Sequence, residues 1–234
     1  MAAPPALPPR ILPCGDSAVT VELGDRISRQ VNDRVVALGR ALADLPGLIA
    51  VVPTYRSLFV QYDPWEISYE SLRTEIELRL TSGRAGGPQR RDGPVRELPV
   101  CYDPRVAPDL EEVARLHGLS PGEVAELHAA PAYRVYMLGF TPGFLFLGGL
   151  PRRLHTPRLP EPRARVPAGS VGIAGAQTGA YAIASPGGWR LIGRTPLRLF
   201  DPGRSPPSRA EPGDTVRFVP ISLAEYRRRG GEVP

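Results

Sequence analysis

Between Gly139 and Phe200 glycine, proline and arginine recur so densely that no long helix can form, yet short apolar runs persist throughout. Proline inside a helix removes a hydrogen bond and clashes with the preceding turn, and glycine there costs about 1 kcal/mol relative to alanine. A disordered linker would have lost the apolar runs. The stretch GFTPGFLFLGGLPRRLHTPRLPEPRARVPAGSVGIAGAQTGAYAIASPGGWRLIGRTPLRLF therefore reads as short strands and tight turns that display arginines, hydroxyls and backbone N–H groups.

The remainder has clearer periodicity. Residues 17–23 (SAVTVEL) alternate as a strand, and Ile27, Val31, Val35, Leu38, Leu42 and Leu45 mark one face of a helix over about 28–45, stopped by Pro46-Gly47. Strands follow near 48–54 and 57–62, and a second helix starts near Ser68 or Ser71 with Leu72, Ile76 and Leu80 inward. This β-α-β-β-α order predicts a small ferredoxin-like N-terminal domain over 1–81. Residues 82–94 (SGRAGGPQRRDGP) read as a linker. The second domain, 95–234, is expected to be mostly β, with a strand at 95–101 and helices near 109–117 and 121–129. A strand at 132–139, a further strand at 214–219 and a short last helix capped by Ser222 complete it.

Composition removes whole classes of chemistry. The chain carries no lysine, so all 29 basic side chains are arginines and the net charge is +5. A P-loop lysine, a Schiff-base lysine and a lysine general base are excluded. Two cysteines, Cys14 and Cys101, without a framework of others fit a reducing compartment, and MAAPPALPPRILPCG lacks a signal-peptide core; a cytoplasmic protein with no membrane partner is expected. The basic balance and Phe59-Val60-Gln61-Tyr62 hint at RNA recognition, but Ser57 stands where a second stacking aromatic would be needed, so no nucleic-acid partner is expected.

Three features of the central stretch point to ligand chemistry. Gly169, Gly172 and Gly175 could form a backbone anion cradle, or could be plain turn and bulge glycines. Arg158, Arg163 and Arg194 lie near prolines in loops and, with Ser170, Gln177, Thr178 and Thr195, form the candidate set for binding an anionic substrate. Phe140, Phe144 and Trp189, with Phe146, could line a groove or simply pack the core. AGSVG around Ser170 faintly resembles a nucleophile elbow, and His155 could pair with Ser170, but neither the strand before nor the helix after is suggested. No metal site is indicated by three histidines and two cysteines without ligand spacing, and no catalytic base is identified.

GFTPGFLFLGGL, TPR at 156–158, VPAGSVGIAGAQTGAY, PGGW at 186–189 and IGRTPL at 192–197 together resemble the family of the 5-oxoprolinase B subunit, KipI and allophanate hydrolase subunit 1. That resemblance implies an α+β chain whose second domain is a cyclophilin-like β-barrel. It implies an ATP-dependent opening of 5-oxoproline to L-glutamate together with A and C subunits, with ATP and Mg held by the complex rather than by this chain alone. The alternative it implies is a KipI-like inhibitor that binds a sensor histidine kinase. Two positions depart from the pattern: Phe146 stands where an aromatic alcohol is expected, and His155 where a small residue is usual.

Overall fold

The computed structural model describes residues 8–82 and 94–233, in two compact units divided after residue 91. The linker expected at 82–94 lies, for residues 83–93, outside the described residues.

In the first unit a four-stranded antiparallel sheet runs in the order β1 (Arg10–Pro13), β2 (Ala18–Glu22), β4 (Ser57–Tyr62), β3 (Leu48–Pro53). Helix α1 (Arg29–Leu42) connects β2 to β3 with β4 paired between them, a split β-α-β unit. Its start is set by Ser28, whose Oγ accepts the Val31 N–H, and Val35, Leu38 and Leu42 supply the buried stripe. Gly39 sits in mid-helix because a β-carbon there would come 3.1 Å from Leu58 of the sheet. Helix α2 (Tyr69–Thr81), capped by Ser68, adds Leu72 and Ile76 to the same core. Strand β1 lies in a proline-rich segment that carries no strand signal. It pairs along the edge of β2, where prolines cost little because the outer N–H groups have no partner strand.

The second unit is a closed barrel of seven strands in the order β10 (Gln177–Ala180), β7 (Leu145–Gly148), β6 (Ala132–Leu138), β13 (Thr215–Ile221), β5 (Val95–Cys101), β12 (Arg190–Arg194), β9 (Ser170–Ala174). Strands β5 and β13 run parallel, with Leu98 opposite Phe218; the other barrel pairs are antiparallel. Helices α3 (Leu110–His117) and α4 (Pro121–Ala129) pack against this barrel. Gly118 closes α3 in the left-handed conformation, and Ser120 with Glu123 forms the capping box that opens α4. A two-stranded ribbon of β8 (Arg163–Val166) and β11 (Ser185–Gly187) accompanies the barrel, and α5 (Leu223–Arg228) is its last helix. The barrel core is mainly apolar, built from residues such as Val100, Val135, Leu147, Ile173 and Ile192.

Candidate functional site

An open cavity of about 270 Å³ is formed by Phe140, Phe144, Phe146, Tyr181 and Trp189 together with Arg158, Pro162, Pro186, Gly187 and Gly188. All of it comes from the breaker-rich central stretch. The aromatic wall is a connected set: Phe144 stands edge-on to Tyr181 at 4.8 Å and to Trp189 at 5.5 Å, and Phe146 meets Phe144 at 4.6 Å. Gly179 of β10 makes that packing possible, because a β-carbon there would press on both the Trp189 and Phe144 rings. Phe144 and Trp189 are buried, so they pack the core and line the cavity at once. Phe140 is different: it is 65% exposed and its φ is +63°, a left-handed conformation that aromatic residues rarely adopt. Such strain gathers at functional sites.

The sequence-predicted arginines separate cleanly. Arg158 lines the cavity, is exposed, and has no hydrogen-bond or ion-pair partner among the described residues. Arg163 donates through Nη2 to Asp109 Oδ1 at 2.6 Å, and Asp109 Oδ2 accepts the Leu191 N–H, so this guanidinium ties β8 to the start of α3 and to β12. Arg194 is held by backbone carbonyls, donating to Ala168 O at 2.9 Å and to Glu232 O at 3.1 Å. Of the three, Arg158 alone lines the cavity; Arg163 is committed through Nη2 only, its Nη1 being buried without a hydrogen-bond partner among the described residues.

The glycine cradle is not formed. Gly169 donates its N–H to Tyr181 O, Gly175 donates to Thr156 O, and Gly172 lies inside β9 between β10 and β12. Their amide donors serve the barrel, and the positive φ of Gly169 and Gly175 marks them as turn glycines. Thr195 is buried, and its Oγ1 accepts the Leu197 N–H. Gln177 pairs in β10 opposite Gly148 and Ala174. Ser170 begins β9 rather than sitting before a helix, and His155 Nε2 bonds to Leu150 O instead, so neither an elbow nor a Ser–His pair forms. None of Ser170, Gln177, Thr178 or Thr195 lines the cavity.

Thr178 belongs to a buried relay in the barrel. Its hydroxyl donates to Gly172 O at 3.0 Å and contacts His128 Nε2 at 2.8 Å, while His128 Nδ1 meets the Tyr102 hydroxyl at 2.7 Å. A hydroxyl has one hydrogen, so Nε2 must carry the imidazole proton, and Nδ1 accepts from Tyr102. Burial holds His128 down at about 3, neutral in ordinary buffers, and its ring stacks on Phe218 at 4.5 Å.

Among the described residues, no group of three or more His, Cys, Asp or Glu side chains gathers where a metal could be held. The amides of Gly169 and Gly175 are already bonded to Tyr181 O and Thr156 O, so these two turns do not offer the phosphate cradle that the sequence suggests. Sequence reasoning missed Tyr181, Pro162 and Pro186. The signal available was PGGW, whose Gly187 has no room for a side chain because the Tyr181 hydroxyl occupies that space.

Residues 9–210 match the family model described as carboxyltransferase domain, subdomain C and D. The chain is 45% identical over 224 residues to the 5-oxoprolinase B subunit of Bacillus subtilis, covering 91% of this chain and 92% of that one. It is 42% identical to a protein designated TTHA0988, whose crystal structure superposes with a TM-score of 0.78; the match covers 93% of this chain but spans only 41% of the longer one. A urea carboxylase from Kluyveromyces lactis shares the fold, with a TM-score of 0.70 at 20% identity over 96% of this chain and 23% of that one. With a matching model over most of its length and such identity across nearly the whole of a named relative, this chain belongs to the carboxyltransferase subdomain C and D family, in the company of the 5-oxoprolinase B subunits.

Proposed function

We propose that this chain is the B-type subunit of an ATP-dependent 5-oxoprolinase, opening 5-oxoproline to L-glutamate in the cytoplasm together with A and C subunits. The observation that carries this reading is Arg158, a guanidinium without a partner among the described residues, on the lip of a small aromatic cavity. A cavity of about 270 Å³ lies at the small end of ligand sites. Its aromatic walls suit the carbon face of a five-membered ring, and a planar guanidinium suits a carboxylate. A lactam is a poor electrophile and needs activation, and among the described residues no Asp, Glu or His stands in the cavity lining to act as a general base. The companion subunits supply those, so this chain holds the ring and its carboxylate in a composite site. The likeness to a longer chain, of which this one spans 41%, agrees with a fold that works joined to further polypeptide. The barrel is read as cyclophilin-like.

The test is 5-oxoproline-dependent ATP hydrolysis by the co-purified subunits. Arg158→Lys keeps the charge but loses the bidentate fork, and KM for 5-oxoproline should rise about tenfold, the equivalent of one charge-assisted hydrogen bond. Activity in the full complex that is indifferent to this substitution removes the assignment. The exposed Phe140 favours one second reading, a KipI-like inhibitor seating a histidine-kinase segment in the same groove. Inhibition of kinase autophosphorylation by this chain, lost in Phe140→Ala, distinguishes it.

A further inference from the structure

We infer that the Tyr181 hydroxyl is the specificity-determining donor of the cavity, reading the ring carbonyl of a cyclic amide while Arg158 takes its carboxylate. This rests on the reading of the cavity as the 5-oxoproline site and assigns its second polar contact. The cavity lining holds Phe140, Phe144, Phe146, Pro162, Pro186 and Trp189, all apolar apart from the Trp189 ring N–H, and two polar groups stand against them, Arg158 and Tyr181. Tyr181 is 1% exposed and lines the cavity; its hydroxyl accepts the Trp189 backbone N–H and donates to no acceptor among the described residues, which leaves its proton for a ligand. The ring is fixed on one side by the edge of Phe144 at 4.8 Å, and Gly187 leaves the hydroxyl its space by carrying no side chain. Burial pushes the phenol up, opposed by the Trp189 backbone amide and by the Arg158 and Arg163 guanidiniums, so the hydroxyl stays protonated at neutral pH and acts as a donor. A neutral donor and a cation spaced around an apolar box are complementary to a ligand with one carbonyl and one carboxylate on a compact carbon ring. The ring-opened amino acid lacks that shape and adds an ammonium group that would face Arg158 across apolar walls.

The full-length chain, with Trp65→Phe so that Trp189 alone reports, is titrated with 5-oxoproline and with cyclopentanecarboxylate, which keeps ring and carboxylate but has no ring carbonyl. The chain should bind 5-oxoproline about tenfold more tightly than the carbocycle, the factor expected for one hydrogen bond. Tyr181→Phe keeps the ring packing against Phe144 and should bring the two affinities together, whereas Arg158→Lys should weaken both ligands alike. If the parent chain binds neither ligand, the cavity reading fails and the inference with it. Retention of the tenfold preference in Tyr181→Phe overturns the inference alone and leaves the cavity reading standing. Melting curves of both variants matching the parent confirm that the comparison is between folded proteins.

Discussion

Phe140 is strained and exposed at once. A left-handed φ of +63° costs a bulky side chain on the order of 1 kcal/mol, and 65% exposure means that packing returns little of it. Its ring meets Phe144 edge-on at 5.8 Å, at the rim of the cavity. A residue kept in a strained conformation without a core to fill is kept for the surface it presents. Asparagine tolerates left-handed backbone, so Phe140→Asn should leave stability unchanged or raise it by up to about 1 kcal/mol. The same substitution removes one wall of the cavity and should weaken 5-oxoproline binding severalfold. Denaturant midpoint and ligand affinity, measured on one preparation, check both halves; a large loss of stability would show Phe140 to be a packing residue.

At the scale of elements the ribbon β8–β11 is pinned to the barrel through Arg163 and Asp109. The Asp109 side chain is 6% exposed and receives both the Arg163 guanidinium and the Leu191 N–H, so a carboxylate with nowhere else to turn stands at the start of α3. Arg163→Ala strands part of that charge and should cost about 2–3 kcal/mol, as for a lost hydrogen bond to a buried charged group. Ligand affinity in the folded fraction should change far less than in Arg158→Lys; the comparison of urea midpoints with binding constants separates the two arginines. Sequence alone could not separate them. Arg158 and Arg163 are both loop arginines beside prolines, and the partner that commits Arg163 lies 54 residues away. Where local signals suffice, the elements are legible: Ser68 stands at the start of α2, and the alternation in SAVTVEL announces β2. The glycines misled because local sequence shows that an N–H is unobstructed but not that Tyr181 O or Thr156 O already takes it. The aromatic wall was visible as residue types, whereas Tyr181, just beyond the end of β10, carried no periodic signal.

In the barrel unit a buried polar relay joins Tyr102 at the end of β5, His128 on α4, and Thr178 and Gly172 on adjacent barrel strands. The Tyr133 hydroxyl adds a bond to His128 O, so a helix and four strands or strand ends converge on one imidazole. Burial lowers His128 to about 3 in the folded state, against 6.5 for the unfolded chain. Below pH 6.5 the unfolded chain therefore binds the proton that the folded barrel refuses. Stability due to this group is complete above 6.5, falls as pH drops, and levels off near 3. At pH 5 the loss should be about 2 kcal/mol, from a separation of roughly 1.5 pH units. All three histidines, His117, His128 and His155, lie in the barrel unit, so the N-terminal unit feels no such term. The two tryptophans divide likewise, Trp65 in the first unit and Trp189 in the second. Urea unfolding of a Trp65→Phe chain followed by Trp189 fluorescence at pH 7.5, 6 and 5 should show the midpoint falling steadily. His128→Gln can keep a hydrogen bond to Thr178 but cannot take up a proton. It should start less stable at pH 7.5 and lose less on acidification. If the glutamine variant shows the parent's pH slope, the acid sensitivity belongs to carboxylates elsewhere in the barrel, and His128 is only a well-packed ring.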